Sequence, residues 1–334
     1  MKKCKLYYLA AGIFLGLFLL ISGCSENNRE IEKVVESNPE SKLALTFKTG
    51  QNNSYRLKTL SQRKVSVEGP VRENSMSFQG GQTTDKIEMV FDSAIQNVNS
   101  AGNAIEKITI KELKYFSEVR DKPVIEFDSL KDKDPNNALL ALIGQSYTIE
   151  ITPSGQVVKI SDADKVLTDI KDFPSNNEAA TRLLSDSDIK LRHSVPLPDS
   201  NDNELKEGKT WSNVASFDFG LMGSGSYERT FKLDEIKKAN GNLDALIEMS
   251  AIPSVEGVGD SGAGRGSPAA PPMTDIRQKY SGSIELNVTT GTLLKYEENL
   301  VNEWLVVPPG SSLQGTPSVL NMTATRSYDL EKIK

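Results

Sequence analysis

Hydrophobic and polar residues alternate with a period of two over most of the chain. Leu43, Leu45 and Phe47 are separated by polar or small residues before Thr49-Gly50-Gln51-Asn52-Asn53 turns the chain into Tyr55-Arg56-Leu57. Near the end, Leu320, Met322 and Ala324 alternate with Asn321, Thr323 and Thr325. This period predicts antiparallel strands with one buried and one wet face. Pro153-Ser154-Gly155-Gln156 and Thr289-Thr290-Gly291 read as hairpin turns, where glycine takes positive φ without steric strain. Three segments change to a helical period. Asp134-Pro135 opens the first, 138–143 is its apolar body and Gly144 stops it. Ser161 with Asp164 opens a second, carrying Val166, Leu167 and Ile170. Ser175 with Glu178 forms a capping-box pattern for a third, whose apolar stripe is Ala179, Ala180, Leu183 and Leu184. Mainly antiparallel strands with a few helices clustered in and after the first half predict an α+β class rather than a pure sandwich.

Short matches recur in the same order in the two halves. Ile110-Lys111-Glu112-Leu113-Lys114 resembles Leu233-Asp234-Glu235-Ile236-Lys237, and Ile125-Glu126-Phe127-Asp128-Ser129 resembles Ile247-Glu248-Met249-Ser250. Ile149-Glu150-Ile151 followed by Ser154-Gly155 resembles Ile284-Glu285-Leu286 followed by Thr290-Gly291. The common order predicts two duplicated β domains. They would span 43–194 and 209–334, joined by a proline-rich junction at 195–208, with a Gly/Ala/Pro-rich insertion at 253–272 in the second.

The amino-terminal segment has a different character. Lys2, Lys3 and Lys5 precede the uncharged, mainly apolar run 6–23, which ends in Leu20-Ile21-Ser22-Gly23-Cys24. A basic region, a short apolar region and small residues before a cut are the parts of an export signal. A cysteine directly after Ser22-Gly23 resembles the lipobox of bacterial lipoproteins. The resemblance implies that 1–23 is a signal peptide, that Cys24 receives a diacylglyceryl thioether, and that its new amino group is open to acylation. Membrane lipid would then be a partner through acylated Cys24, since several acyl chains together give stable anchoring. An uncleaved anchor, at the lower edge of spanning length, or an ordinary secretory signal is the competing reading. Ser25 stands where the enterobacterial inner-membrane retention signal has aspartate, which favours the outer membrane if the host has two membranes. The polar stretch 24–42 reads as a tether below the globular body. The body resembles the mostly uncharacterised β-rich envelope lipoproteins and no family of known activity.

Charge and composition then narrow the chemistry. Without 1–23 the chain has 36 Lys+Arg (39 minus 3) against 45 Asp+Glu, a net charge of −9. That balance opposes nucleic acid and electrostatic docking on anionic lipid. The remaining Cys24 leaves no free thiol, and His193 is the one histidine, so His/Cys zinc sites and thiol catalysis are excluded. His193 reads as a solvated or hydrogen-bonded linker histidine. Gly257-Val258-Gly259-Asp260-Ser261-Gly262 fits a dinucleotide fingerprint in letters only, because the prolines that follow cannot make the required helix. Ser261 has no visible base partner. The repeated glutamates Glu126, Glu150, Glu248 and Glu285 lie between apolar neighbours at strand period, which turns them to the solvated face. Trp211 and Trp304 are core residues by default and a ligand platform otherwise. No catalytic, cofactor or metal residue is assigned. The expectation is a non-enzymatic envelope lipoprotein that binds an envelope protein or an apolar ligand, with a carboxylate-dependent envelope hydrolase as the alternative. An apolar cleft between sheet and helices would favour cargo; two close, poorly solvated carboxylates in a deep pocket would favour the hydrolase.

Overall fold

A computed structural model describes residues 42–69, 80–199, 201–239, 241–254, 273–306 and 319–334. Cys24, nearly all of the 24–42 tether, and the insertion from 255 onward with its glycine motif and Ser261 lie outside the described residues. All described residues belong to one compact unit, Glu36–Lys334.

The strands are β1 (Asn52–Glu68), β2 (Gly81–Val98), β3 (Ala104–Val119), β4 (Lys122–Asp128), β5 (Ser146–Ile151) and β6 (Val157–Ser161) in the first half. The second half supplies β7 (Thr210–Asp218), β8 (Ser224–Ala239), β9 (Asn242–Pro253), β10 (Met273–Asn287), β11 (Thr292–Val306) and β12 (Val319–Lys332). They form one antiparallel sheet in the order β6-β5-β3-β2-β1-β12-β11-β10-β9-β8-β7, with β4 also paired to β3. The first and last strands pair in its middle, from Tyr55↔Lys332 to Glu68↔Val319. Open sheets beyond about ten strands curl to bury one face.

The register defines that face. Leu113, Met89, Leu57, Leu330, Tyr296, Ile284, Ile247 and Leu233 are direct cross-strand partners in one row from β3 to β8. Each is at most 4% exposed. The outer face is polar, with Glu88 of β2 between Arg56 (3.6 Å) and Lys114 (3.4 Å). The predicted alternation is therefore present and sets the inside of the molecule.

Four helices cover part of the inner face: α1 (Ala138–Ala141), α2 (Ala163–Ile170), α3 (Asn177–Leu183) and α4 (Asp186–His193). The first three answer to the sequence expectation, with changed starts. Asn137 caps α1 through its side chain (3.0 Å to Leu139 N), and Gly144 ends that segment at φ 83°. Asp162 and Asn176 enter α2 and α3 from left-handed φ without a side-chain cap bond. The expected Ser175 box does not form, because Ser175 Oγ donates to the Asn136 carbonyl at 3.1 Å. α4 was not expected; Ser185 caps it by accepting from Asp188 N at 3.3 Å.

Two further expectations are corrected. Residues 43–47 are no strand of the sheet. Their backbone donates to three separate places, Asn203 O (2.8 Å), Pro153 O (2.8 Å) and Gly291 O (2.9 Å), so the segment straps turns and junction together. The strand pairing also does not repeat. β5, with Ile149, lies between β3 and β6, whereas β10, with Ile284, lies between β9 and β11. The repeat required β5 beside β4, but β4 occupies the opposite end of β3. The ordered matches reflect shared β composition in one sheet. Of the expected junction, Val195, Pro196, Leu197 and Pro198 are all buried rather than an exposed linker.

Candidate ligand cavity

Beyond its apolar row, the inner face becomes polar. Ser61 of β1 sits between Asp85 of β2 and Arg326 of β12, and Arg326 faces Leu300 of β11, which faces Tyr280 of β10. Over these residues the helices and the sheet separate. A cavity of about 800 Å³ opens between the sheet and a roof made of α3, α4 and the segment after α4. Sites for small molecules commonly measure ~300–1,000 Å³.

Three contacts hold the roof to the floor. Arg182 of α3 pairs with Asp85 at 3.5 Å and donates to the Tyr115 hydroxyl. Tyr328 of β12 donates to the Arg192 carbonyl of α4 at 2.8 Å. At the sheet edge, Trp211 Nε1 of β7 donates to the Pro196 carbonyl at 2.9 Å while its ring stacks on Phe231 at 5.6 Å. Leu57, Leu183, Leu197, Leu300, Trp211 and Phe217 supply apolar wall.

One polar cluster in the wall is self-contained. Arg229 Nη1 pairs with Glu298 Oε1 at 2.6 Å, and Arg229 Nε donates to Asn213 Oδ1 at 2.8 Å. Tyr280 donates to Glu298 Oε2 at 2.6 Å, and the Tyr296 hydroxyl donates to Oε1. Burial, then the Glu298 charge, push both phenols above their ordinary value, so both keep their protons as donors. Gly282 lies directly opposite Glu298 with no side chain to crowd it. Glu298 is thus a half-buried carboxylate held by one arginine and two phenols.

A second cavity, of about 60 Å³, lies beside the roof and is lined by Tyr55, Phe91, Glu106, His193 and Leu330 among others. Ser93 donates to Glu106, and burial raises the Glu106 carboxyl to about 7. His193 is 7% exposed and shares a 2.6 Å hydrogen bond with the Tyr147 hydroxyl. Burial, then neighbouring Arg192, hold it well below the ordinary histidine value. It is the buried last residue of α4 rather than a solvated linker residue.

The other singled-out residues do not converge. Glu126, Glu248 and Glu285 are exposed. Glu150 is half-buried and accepts from the Asn99 and Asn103 amides at 3.0 and 2.8 Å. Trp304 is buried against Phe219 at 5.5 Å, whereas Trp211 lines the large cavity. Among the described residues no group of three His, Cys, Asp or Glu is placed to hold a metal, and no helix is long and apolar enough to cross a membrane. The sequence reading passed over Glu106, Arg229, Glu298 and Arg326. Their signal was strand parity: each shares the alternation of buried neighbours such as Ile108, Phe231, Leu300 and Leu330.

Residues 101–293 match the model of DUF6263, a family of unknown function. No curated protein matches the chain. Among solved structures, lipovitellin, titled for its lipid-protein interactions, is similar at 10% identity and a TM-score of 0.43, over 86% of this chain and 25% of that one. The present chain thus spans about a quarter of the lipovitellin chain. DynF from the dynemicin biosynthesis pathway of Micromonospora chersina is similar at 7% identity and a TM-score of 0.20, over 90% of this chain and 89% of that one. Neither overlap is close enough to define a common fold.

Proposed function

The chain belongs to the DUF6263 family of unknown function, and we propose that it is a lipid-anchored envelope lipoprotein that binds an apolar or amphipathic molecule without catalysis. Cys24 after Ser22-Gly23 supports the anchor. The outer membrane is the favoured site where the host has two. The observation that carries the binding role is the cavity of about 800 Å³ between curled sheet and helical roof, with leucine, tryptophan and phenylalanine in its wall. A space of this size with an apolar wall matches the volume range of small-molecule sites.

The hydrolase alternative needs withdrawn carboxylates able to exchange protons in a pocket. On the cavity floor Glu298 is engaged by Arg229, Tyr280 and Tyr296, and Asp85 is paired with Arg182, while Glu106, whose carboxyl is raised to about 7, lies in the separate cavity of about 60 Å³.

Ala215 of β7 is a small cavity-lining residue. The lipidated full chain is expected to take up the apolar fluorophore N-phenyl-1-naphthylamine saturably, with one molecule per chain. Ala215→Trp, which fills the space from the edge strand, should weaken uptake about tenfold or more. Absence of saturable uptake by the wild type, or equal uptake by a folded Ala215→Trp, would overturn the reading.

A further inference from the structure

Four arginines are among the residues of the large cavity wall, and three of them have protein partners. Arg182 has Asp85 and Tyr115. Arg192 donates to the Leu183 carbonyl and to the Tyr147 hydroxyl at 3.4 Å. Arg229 has Glu298 and Asn213. Among the described residues, Arg326 has neither an ion pair nor a hydrogen bond; its guanidinium lies 4.7 Å from the Phe217 ring centroid.

The surroundings of Arg326 do not neutralise it. Asp188 from α4 and Glu298 from β11 face it from beyond ion-pair distance, Tyr280 faces it from β10, and Arg63 of β1 adds a like charge. Arg63 pairs with Ala324, two residues along β12 on the same face, and it has no ion pair of its own among the described residues. Two neighbouring guanidiniums, one half-buried beside an aromatic ring, thus have no carboxylate in ion-pair contact among the described residues, Asp188 and Glu298 standing farther off. With its guanidinium carbon 4.7 Å from the Phe217 ring centroid, Arg326 keeps its fork of N–H donors for a carboxylate or phosphate.

We propose that Arg326 seats the anionic group of the cavity's ligand, which makes that ligand an amphipathic anion: one carboxylate or phosphate joined to an apolar body lying against Trp211, Leu197 and Leu183. This rests on the ligand-binding reading of the cavity. It also accounts for an unpaired cation inside a chain whose overall charge is −6. An ordinary acidic surface gives no reason to place one over an aromatic floor.

The test uses the full lipidated chain in phosphatidylcholine nanodiscs, with binding of decanoate, decyl phosphate and 1-decanol followed by titration calorimetry against empty nanodiscs. Wild type should bind at least one of the two anions about tenfold or more tightly than decanol. In Arg326→Gln that preference should vanish while decanol affinity stays the same, and Arg326→Lys should restore part of it. Decanoate against decyl phosphate decides which headgroup fits. Equal affinity of wild type for anions and decanol overturns the proposal without any variant. So does an anion preference that survives in Arg326→Gln. If none of the three probes binds wild type, the cavity reading itself falls and the proposal with it.

Discussion

Glu106 makes the stability of the fold depend on pH. Its carboxyl is neutral in the folded protein up to about pH 7, whereas in the unfolded chain it ionises near the ordinary value, about 4.3. Between those values the folded state holds the extra proton, so stability falls as pH rises towards 7 and stays at its reduced level above it. The difference corresponds to about 4 kcal/mol at ~1.4 kcal/mol for each tenfold change. His193 acts in the opposite direction. It stays neutral when folded, so its contribution is present above the ordinary histidine pKa, about 6.5, and is lost as pH falls below it. Glu106→Gln keeps an acceptor for Ser93 and removes the ionisation. Its urea midpoint should exceed that of wild type by more at about pH 8 than at about pH 5, leaving the His193 slope exposed. A variant with the wild-type pH profile would refute this account. Both groups show how much of the site was legible. Parity alone places Glu106 beside Ala104 and Ile108 on the inner face. That His193 is buried follows only from the helix ending at it, which the sequence reading did not identify.

At the scale of elements, the β5–β6 turn carries more than a hairpin. Val195 N donates to Gly155 O at 2.8 Å and Leu197 N to Ser154 O at 3.3 Å, so this turn anchors the segment that roofs the cavity. Gly155 has φ 80°, and a Cβ there would collide with the Val195 carbonyl. Gly50 has nearly the same φ, 84°, but open space around the added atom. Gly50→Ala should therefore lose only the left-handed backbone term, ~1–2 kcal/mol. Gly155→Ala should lose more, about 3 kcal/mol or above, and become more open to proteolysis just after α4. Equal losses in urea denaturation would mean that the turn and the roof are not coupled. The hairpin at Gly155 was legible because its glycine is a local requirement. α4 was not, since Ile189 and Leu191 are its only aliphatic residues and a helical stripe barely shows; the Ser185 cap was the available sign. The strap at 43–47 alternates like a strand because Leu43 and Leu45 are buried between different turns. Periodicity reports which side chains are covered and is silent on which backbone pairs with which.

On the scale of the molecule, the same silence hid the single sheet. Its central pair, β1 with β12, joins the two ends of the sequence, and no local pattern specifies a partner that distant. The proposed anchor at the amino terminus is the reverse case, since it rests on a local motif. Without 1–23 the chain's net charge of −9 would give it no electrostatic hold on anionic lipid, and the described residues contain no spanning helix. Membrane attachment on this account rests on acylation of Cys24, and one substitution should remove it. Intact-mass measurement of the wild type should find an amino terminus at Cys24 carrying diacylglyceryl and any further acyl mass. Cys24→Ser should retain 1–23 and carry no lipid, while its far-ultraviolet spectrum remains that of the β sheet, because the sheet begins at Asn52 and makes no use of the anchor. A wild-type chain cut at the same place without lipid would refute the anchor. It would leave the cavity untouched, since every residue of its wall lies from Leu57 onward.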